Sequence, residues 1–350
     1  MNTHAALGLT AVAGLLGAHG AAKRAVTGAR TRPQPAVLAA RSGPPARRWL
    51  VSAPDGTGLA VDEWGDPDAP VTVVLSHGWT LSSHLWHRQI ASLSADARVI
   101  AWDHRGHGRS ERSGPEGCTL PGLGGDLAAV IDNLVPEGRL VLAGHSMGGM
   151  TIMHLAEQRP DLVDDRVDGV VIVSSSPGDL AAADFGLPLP WSALVKAMGP
   201  RGMAALGRLE AWSEKRQSLA PELWLATRAL SFGTGAPAHM VDEMLDVVET
   251  VPLGVVSAFY AGLAQHDGHA GLDILSRVPV TILVGIEDRL TPVAHSRRIA
   301  ELVPSAELVT FERAGHMLTL ERADEVTKVI AGHVQRSRTR AEMSDLVASS

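Results

Sequence analysis

The chain has 350 residues, of which 45% are hydrophobic and 20% charged, so it can bury a large core and does not have the composition of a disordered protein. Its formal net charge of −7 argues against a nucleic-acid-binding protein, which usually presents a basic face. Cys118 is the only cysteine, which excludes an intramolecular disulfide and a zinc site built from paired cysteines. We expect a cytoplasmic protein, although secretion without disulfides agrees equally well with one cysteine.

Residues 1–48 are predicted to form an Ala- and Gly-rich segment and then a basic linker that contains Pro. Ala5–Ala22 carries no charged residue, and Lys23 and Arg24 follow it. A secretory signal has its positive charge before the apolar run, so this order does not fit one. The length from 5 to 22 is close to the minimum for a membrane span, so membrane association through these residues stays open. The alternative is a loosely docked Ala-rich helix.

From Trp49 onward, strand and helix patterns alternate. Continuous apolar runs such as Val71–Ser76 are typical of strands that are buried on both faces. The alternation predicts a mostly parallel sheet with helices on both faces. The predicted strands of this half are Trp49–Ala53, Leu59–Trp64, Val71–Ser76, Arg98–Trp102, Leu140–Ala143 and Val170–Ser174, and the helices are Ser82–Leu93, Leu120–Leu134 and Met147–Gln158.

The alternation stops between about Pro177 and His269, where Trp, Met and Leu recur at helical spacing. It resumes with strands Val280–Val284 and Glu307–Phe311 and with helices Val293–Leu302 and Leu318–Val334. We therefore predict an α/β core over 49–176 and 270–336, a helical cap over 177–269, and a polar, disordered tail over 337–350. The Gly- and Pro-containing loop Asp179–Pro190 is a candidate hinge of the cap.

The segment Gly-His-Ser-Met-Gly at 144–148 directly follows a predicted strand and opens a predicted helix. A Gly-x-Ser-x-Gly turn of this kind holds its serine in a strained conformation with the hydroxyl exposed. Side chains at Gly144 and Gly148 would clash across that turn. The position between strand and helix favours Ser146 as a nucleophile over a serine in an ordinary turn.

A serine nucleophile needs a base beside it, and the base needs a carboxylate that fixes its tautomer. His316 comes just after the last predicted strand, and Asp288 follows the strand Val280–Val284. Loops after parallel strands collect at one edge of the sheet, so these residues are expected to meet Ser146. Glu287 is the rival acid, and we favour Asp288 because of its Asp-x-x-x-Pro spacing before the helix at Pro292.

The same edge offers two backbone donors for a developing oxyanion. Trp79 follows the strand Val71–Ser76, and Met147 begins the helix after Ser146. His77 is interpreted as structural. His104 and His107 lie in a Gly-rich loop without a clear third ligand nearby in the sequence, so we predict no metal site there.

Together these motifs resemble the serine esterase/lipase and haloperoxidase-like branch of the α/β-hydrolase superfamily, and most closely its actinobacterial members. The resemblance covers about Trp49 to Val334 and rests on His-Gly at 77–78, Asp-x-Arg-Gly-x-Gly-x-Ser at 103–110, the Ser146 turn and the late Asp and Gly-His. It implies the triad Ser146, Asp288 and His316, with Trp79 and Met147 as the oxyanion pair. A serine at the nucleophile position differs from epoxide hydrolases and haloalkane dehalogenases, which use Asp.

The predicted function is hydrolysis of a carboxylic ester through an acyl-enzyme, without a cofactor. The apolar cap favours a small hydrophobic ester or a related acyl compound as the substrate. Thioester, lactone or amide hydrolysis stays open, as does a lyase or perhydrolase reaction that uses the same triad. A non-catalytic receptor of the same fold is a further alternative.

Overall fold

The computed structural model describes residues 20–30, 42–180 and 220–348. Its strands are β1 (Arg47–Ser52), β2 (Gly58–Trp64), β3 (Val71–Ser76), β4 (Arg98–Trp102), β5 (Arg139–His145), β6 (Val167–Val173), β7 (Val280–Gly285) and β8 (Glu307–Phe311). Its helices are α1 (residues 20–30), α2 (His87–Leu93), α3 (Leu120–Leu134), α4 (Met147–Gln158), α5 (Pro160–Arg166), α6 (Ala220–Ser231), α7 (Ala238–Val248), α8 (Leu253–Ala264), α9 (His269–Leu275), α10 (Val293–Leu302), α11 (Leu318–Glu321) and α12 (Ala323–Ala348).

The eight strands form one sheet in the order β1-β2-β4-β3-β5-β6-β7-β8. Strands β3 to β8 are parallel to one another, and β1 and β2 add an antiparallel edge. This arrangement confirms the predicted mostly parallel sheet. Every residue of β3, β6 and β7 is buried, which explains why their sequences are mainly apolar.

Helices cover both faces of the sheet, as predicted. On one face, α2 and α12 pack with Trp86, Ile90 and Ile330 in the core. On the other face, α3, α4, α9 and α10 contribute a second cluster that includes Leu127 and Ile299. A third cluster joins α3, α4 and α8 at the carboxyl edge of the strands.

Within the predicted cap, the described residues form α6, α7 and α8. Residues 181–219 lie outside the described part of the chain, and so does most of the predicted hinge Asp179–Pro190. In the described part, Trp224 and Phe232 pack into the same core cluster as residues of the sheet. The described cap helices are therefore continuous with the core of the domain.

Two local predictions differ from the structure. The predicted helix Ser82–Leu93 is a short 3-10 turn, Ser83–Trp86, followed by α2. The predicted helix Leu318–Val334 is divided at Arg322 into α11 and the start of α12.

The expectation of a disordered tail is wrong for residues 337–348, because α12 continues through Ala348. The helix is held to the sheet through the buried carboxylate of Asp168 in β6. Ser337 Oγ donates a 2.6 Å hydrogen bond to Asp168, and Arg340 forms a 2.9 Å ion pair with it. The polar composition of residues 337–350 therefore does not reveal that two of its side chains bind a buried carboxylate.

Helix α1 packs against the cap. Val26 is buried in the cluster that contains Trp224, and Arg30 forms a 2.6 Å ion pair with Asp242. Residues 5–19 of the candidate membrane segment lie outside the described residues. Among the helices that are described, none by itself has the length and hydrophobicity to cross a bilayer; α7 and α8 meet that test only as a pair bent by 100°.

Candidate active site

Ser146 lies at the sharp turn between β5 and α4, with φ 53° and ψ −117°. A positive φ is strained for a residue other than glycine, and such strain is characteristic of functional sites. A Cβ at Gly144 would overlap the backbone of Gly148, as predicted. A Cβ at Gly148 would instead overlap Ser76 O at the end of β3. The second glycine is therefore required by the neighbouring strand and not by the turn itself.

His316 and Asp288 are joined directly, as the sequence predicts. His316 Nδ1 lies 2.9 Å from Asp288 Oδ2, and both side chains are almost fully buried. The backbone N–H groups of Leu290 and Thr291 each donate a 2.9 Å hydrogen bond to Asp288 Oδ1. Thr291 Oγ1 donates to Asp288 Oδ2 at 2.9 Å. This set of donors fixes the carboxylate so that it accepts the Nδ1 proton and leaves Nε2 of His316 as the basic nitrogen.

The backbone of His316 is held from two sides. Its N–H donates to Ser231 O at 2.9 Å, and His145 Nε2 donates to its carbonyl at 2.9 Å. Ser146 and His316 line the same cavity, and no hydrogen bond joins them among the contacts of the described residues. Catalytic hydrogen bonds of this kind often tighten only when a substrate is bound.

Glu287, the rival acid, has different partners. Its carboxylate accepts hydrogen bonds from the backbone N–H and the hydroxyl of Thr234, at 2.6 and 2.9 Å. The Thr234 N–H lowers the pKa of Glu287. Because this carboxylate points to the loop between α6 and α7, the geometry favours Asp288 as the partner of His316.

The two predicted oxyanion donors follow adjacent parallel strands. Ser76 at the end of β3 is in register with Gly144 of β5, so Trp79 and Met147 come from loops at the same edge of the sheet. Trp79 lines the cavity with Ser146, and Met147 is the first residue of α4. The N–H of Met147 lies at the N-terminus of α4, where the positive end of the helix dipole stabilises a negatively charged oxygen.

A cavity of about 350 Å³ opens beside Ser146 and His316. Its wall is mainly apolar, and its polar groups include Thr227 and Ser231 of α6. The indole Nε1 of Trp79 is buried without a hydrogen-bond partner. Apolar lining residues come from both the core and the cap: Leu81, Met150, Leu180, Leu223, Ala226, Leu230, Met244, Val248, Leu263, Leu290 and Met317.

Thr291 and Ser231 are parts of the site that were not predicted from the sequence. Thr291 could have been found, because a Thr three residues after Asp288 and before a proline is well placed to bond an Asp carboxylate in a turn. Nothing in the sequence links Ser231 to His316, since their contact joins the cap to the last loop of the core.

His77, His104 and His107 are buried, and the rings of His77 and His107 are hydrogen-bonded to backbone groups. His77 donates from Nδ1 to Gly78 O at 2.7 Å and accepts the His104 N–H at 2.9 Å. His107 accepts the Thr80 N–H at 3.2 Å, and burial lowers the pKa of His107 to about 3. These contacts favour a structural role, in which neutral imidazoles brace the loop that carries Trp79.

Comparison with known proteins shows the family of the chain. A family model described as the alpha/beta hydrolase fold matches residues 71–323. A bifunctional esterase/perhydrolase from Acinetobacter calcoaceticus is 28% identical over 296 residues, which is 81% of this chain and 99% of that protein. A non-heme chloroperoxidase from Streptomyces lividans is 30% identical over 283 residues, or 76% of this chain and 92% of the relative.

Among solved structures, a thermophilic esterase from Thermogutta terrifontis has a TM-score of 0.64 at 24% identity. The match covers 83% of this chain and 99% of that one, and at this identity it shows the fold alone. The strand order, the strained turn at Ser146 and the family match agree with one another. The chain therefore belongs to the α/β-hydrolase family, within its esterase and haloperoxidase-like branch.

Proposed function

We propose that this hydrolase cleaves a carboxylic ester with an apolar acyl group through a covalent acyl-enzyme on Ser146. The hydrogen bond between His316 and Asp288, beside the strained Ser146 at an apolar cavity, carries this proposal. Its esterase relatives support ester hydrolysis as the general reaction class.

In the proposed mechanism, His316 Nε2 takes the proton of Ser146 as the hydroxyl attacks the ester carbonyl. Asp288 stabilises the imidazolium that forms. The N–H groups of Trp79 and Met147 hold the oxyanion of the tetrahedral intermediate, a contribution worth about 3 kcal/mol for each donor. Collapse expels the alcohol, which takes its proton from His316, and water then attacks the acyl-enzyme by the same route.

The cavity suggests the class of acyl group. At about 350 Å³ it has the size of a small-molecule site, and its wall offers few polar partners. Thr227 and Ser231 lie four residues apart on α6, so one face of this helix supplies both hydroxyls. A hydrophobic acyl chain fits such a wall better than a charged one does.

A second candidate is perhydrolysis. The relative from Acinetobacter calcoaceticus is a bifunctional esterase/perhydrolase. In that reaction hydrogen peroxide replaces water as the nucleophile on the acyl-enzyme, so the product is a peracid and no electron transfer is needed. Thioester, lactone and amide hydrolysis would use the same triad and are further alternatives. Cytoplasmic location, the absence of a cofactor and membrane association through residues 5–22 stay predictions.

The test is hydrolysis of p-nitrophenyl esters from acetate to palmitate, with Ser146→Ala purified in parallel. We expect activity in the wild-type protein and its loss in Ser146→Ala, by roughly 10⁵ to 10⁶ in kcat. A serine-directed phosphonate should label only the wild type. Equal activity in both proteins, or none in either, would contradict the proposal and favour a lyase or a non-catalytic receptor. Addition of hydrogen peroxide then reports whether a peracid forms.

A further inference from the structure

Two histidines and a glutamate meet where the cap lies against the core, away from the catalytic triad. His84 lies in the 3-10 turn after β3, and His87 begins α2. Glu243 comes from cap helix α7. One ligand atom of each residue lies within 4.8 Å of the others. Two imidazoles and one carboxylate form a set of ligands that Zn²⁺ and similar divalent metal ions prefer.

Hydrogen bonding fixes which nitrogen of His87 is available. Nδ1 lies 3.0 Å from His84 O and must donate its proton to that carbonyl. In the neutral ring, Nε2 therefore carries a lone pair, and it lies 3.4 Å from Glu243 Oε1. A bond from Nδ1–H to a backbone carbonyl is the arrangement that orients histidine ligands in metal sites.

The pair His87 Nε2 and Glu243 Oε1 consists of two acceptors, so their approach is favourable only with a proton or a cation between them. A divalent cation between Nε2 and Oε1 binds both acceptors, and a nitrogen of His84 supplies a third ligand atom.

Arg88 binds the carboxylate of Glu243 but leaves both of its oxygens able to bind a cation. Its two guanidinium nitrogens bond Glu243 Oε1 and Oε2 at 3.1 and 2.8 Å. A carboxylate has about four lone-pair sites, so a bidentate arginine leaves one on each oxygen. Arg88 also prevents Glu243 from turning away from the histidines.

We propose that His84, His87 and Glu243 bind a single Zn²⁺ or a similar divalent cation that clamps the cap to the core. Ligand atoms around tetrahedral zinc are about 3.3 to 3.6 Å apart, given its bond lengths of ~2.0 to 2.2 Å. The distances between the ligand atoms, all within 4.8 Å, must therefore shorten by up to about an ångström. Rotation of the exposed His84 side chain can shorten them. Met244, next to Glu243, lines the catalytic cavity, so the metal would hold one wall of that cavity in place.

Isothermal titration of a chain without an affinity tag, using Zn²⁺ alone, tests the site. We expect one ion per chain, a higher Tm with Zn²⁺, and with Co²⁺ the visible absorption bands of a site with nitrogen and oxygen ligands. His84→Ala should weaken binding at least about tenfold without unfolding the protein, because this side chain is exposed. Glu243→Gln should have the same effect.

The matched control is His269→Ala, which removes an exposed histidine from another part of the surface. It should keep the affinity of the wild type. Zinc that binds through the catalytic His316 would be retained in His84→Ala, and that result would overturn the proposal. The proposal also fails if the wild type binds no Zn²⁺, or if Zn²⁺ leaves its Tm unchanged.

Discussion

At the scale of single residues, Asp288 and Glu287 are neighbours whose carboxylates have opposite surroundings. Asp288 is buried and accepts bonds from the loop that follows it and from His316. Glu287 is directed at Thr234 on the cap. The turn after β7 thus directs two neighbouring carboxylates to different partners, in agreement with the preference for Asp288 that the Asp-x-x-x-Pro spacing gave.

We predict that Asp288→Asn lowers kcat by roughly 10³ to 10⁴, because an amide next to His316 favours the wrong tautomer. Glu287→Gln, the matched control, should change kcat by less than about tenfold, since it loses only contacts to Thr234. Steady-state kinetics on the preferred p-nitrophenyl ester measure both. A larger loss in Glu287→Gln than in Asp288→Asn would reverse the assignment of the acid.

The residues of the candidate triad could be predicted because each follows a strand of the parallel sheet, and parallel strands end at one edge. The residues that position them could not all be found this way. Ser231 accepts a hydrogen bond from the backbone of His316 through a contact between α6 and the loop after β8. His145, next to Ser146 in sequence, holds the carbonyl of His316 through a contact across 171 positions. Local patterns carry no information about such long-range pairs.

At the scale of elements, the sequence predicts the bounds of the strands closely and the ends of the helices less accurately. Buried strands are continuous apolar runs, and their bounds are set by the sheet. The tail after Arg336 is polar, so its composition predicts disorder. Its order depends on Asp168, a buried carboxylate in β6 that also pairs with Arg139. A charge inside a strand was the available signal for that partner.

We predict that truncation after Arg336 destabilises the protein by about 1 to 3 kcal/mol, since the buried Asp168 then loses Ser337 and Arg340. Truncation after Glu342 removes a segment that begins with the exposed Met343 and should have little effect. Urea denaturation of both proteins gives the free energies of unfolding. Equal free energies of unfolding for the two truncated proteins would show that the contacts of Ser337 and Arg340 with Asp168 do not stabilise the fold.

At the scale of the whole molecule, buried histidines are distributed through the loops and the sheet. Burial lowers the pKa of His107 and His145 to about 3, and that of His266 and His333 to about 4. In an unfolded chain these groups titrate near 6.5. Below that pH the unfolded state binds protons that the folded state excludes, so the free energy of unfolding must fall as the pH falls.

We predict that stability is nearly constant above about pH 7 and falls between about pH 6.5 and 4, with each such histidine adding roughly 1.4 kcal/mol per pH unit to the slope. His333→Gln should remove one histidine's share, because the Gln amide can take the position of Nε2 beside Thr281 but does not titrate. Urea unfolding at several pH values from about 7 to 5 measures these slopes. Curves of equal slope for wild type and His333→Gln would mean that His333 binds protons equally in the folded and unfolded states, and that the loss of stability in acid arises from groups other than this buried imidazole.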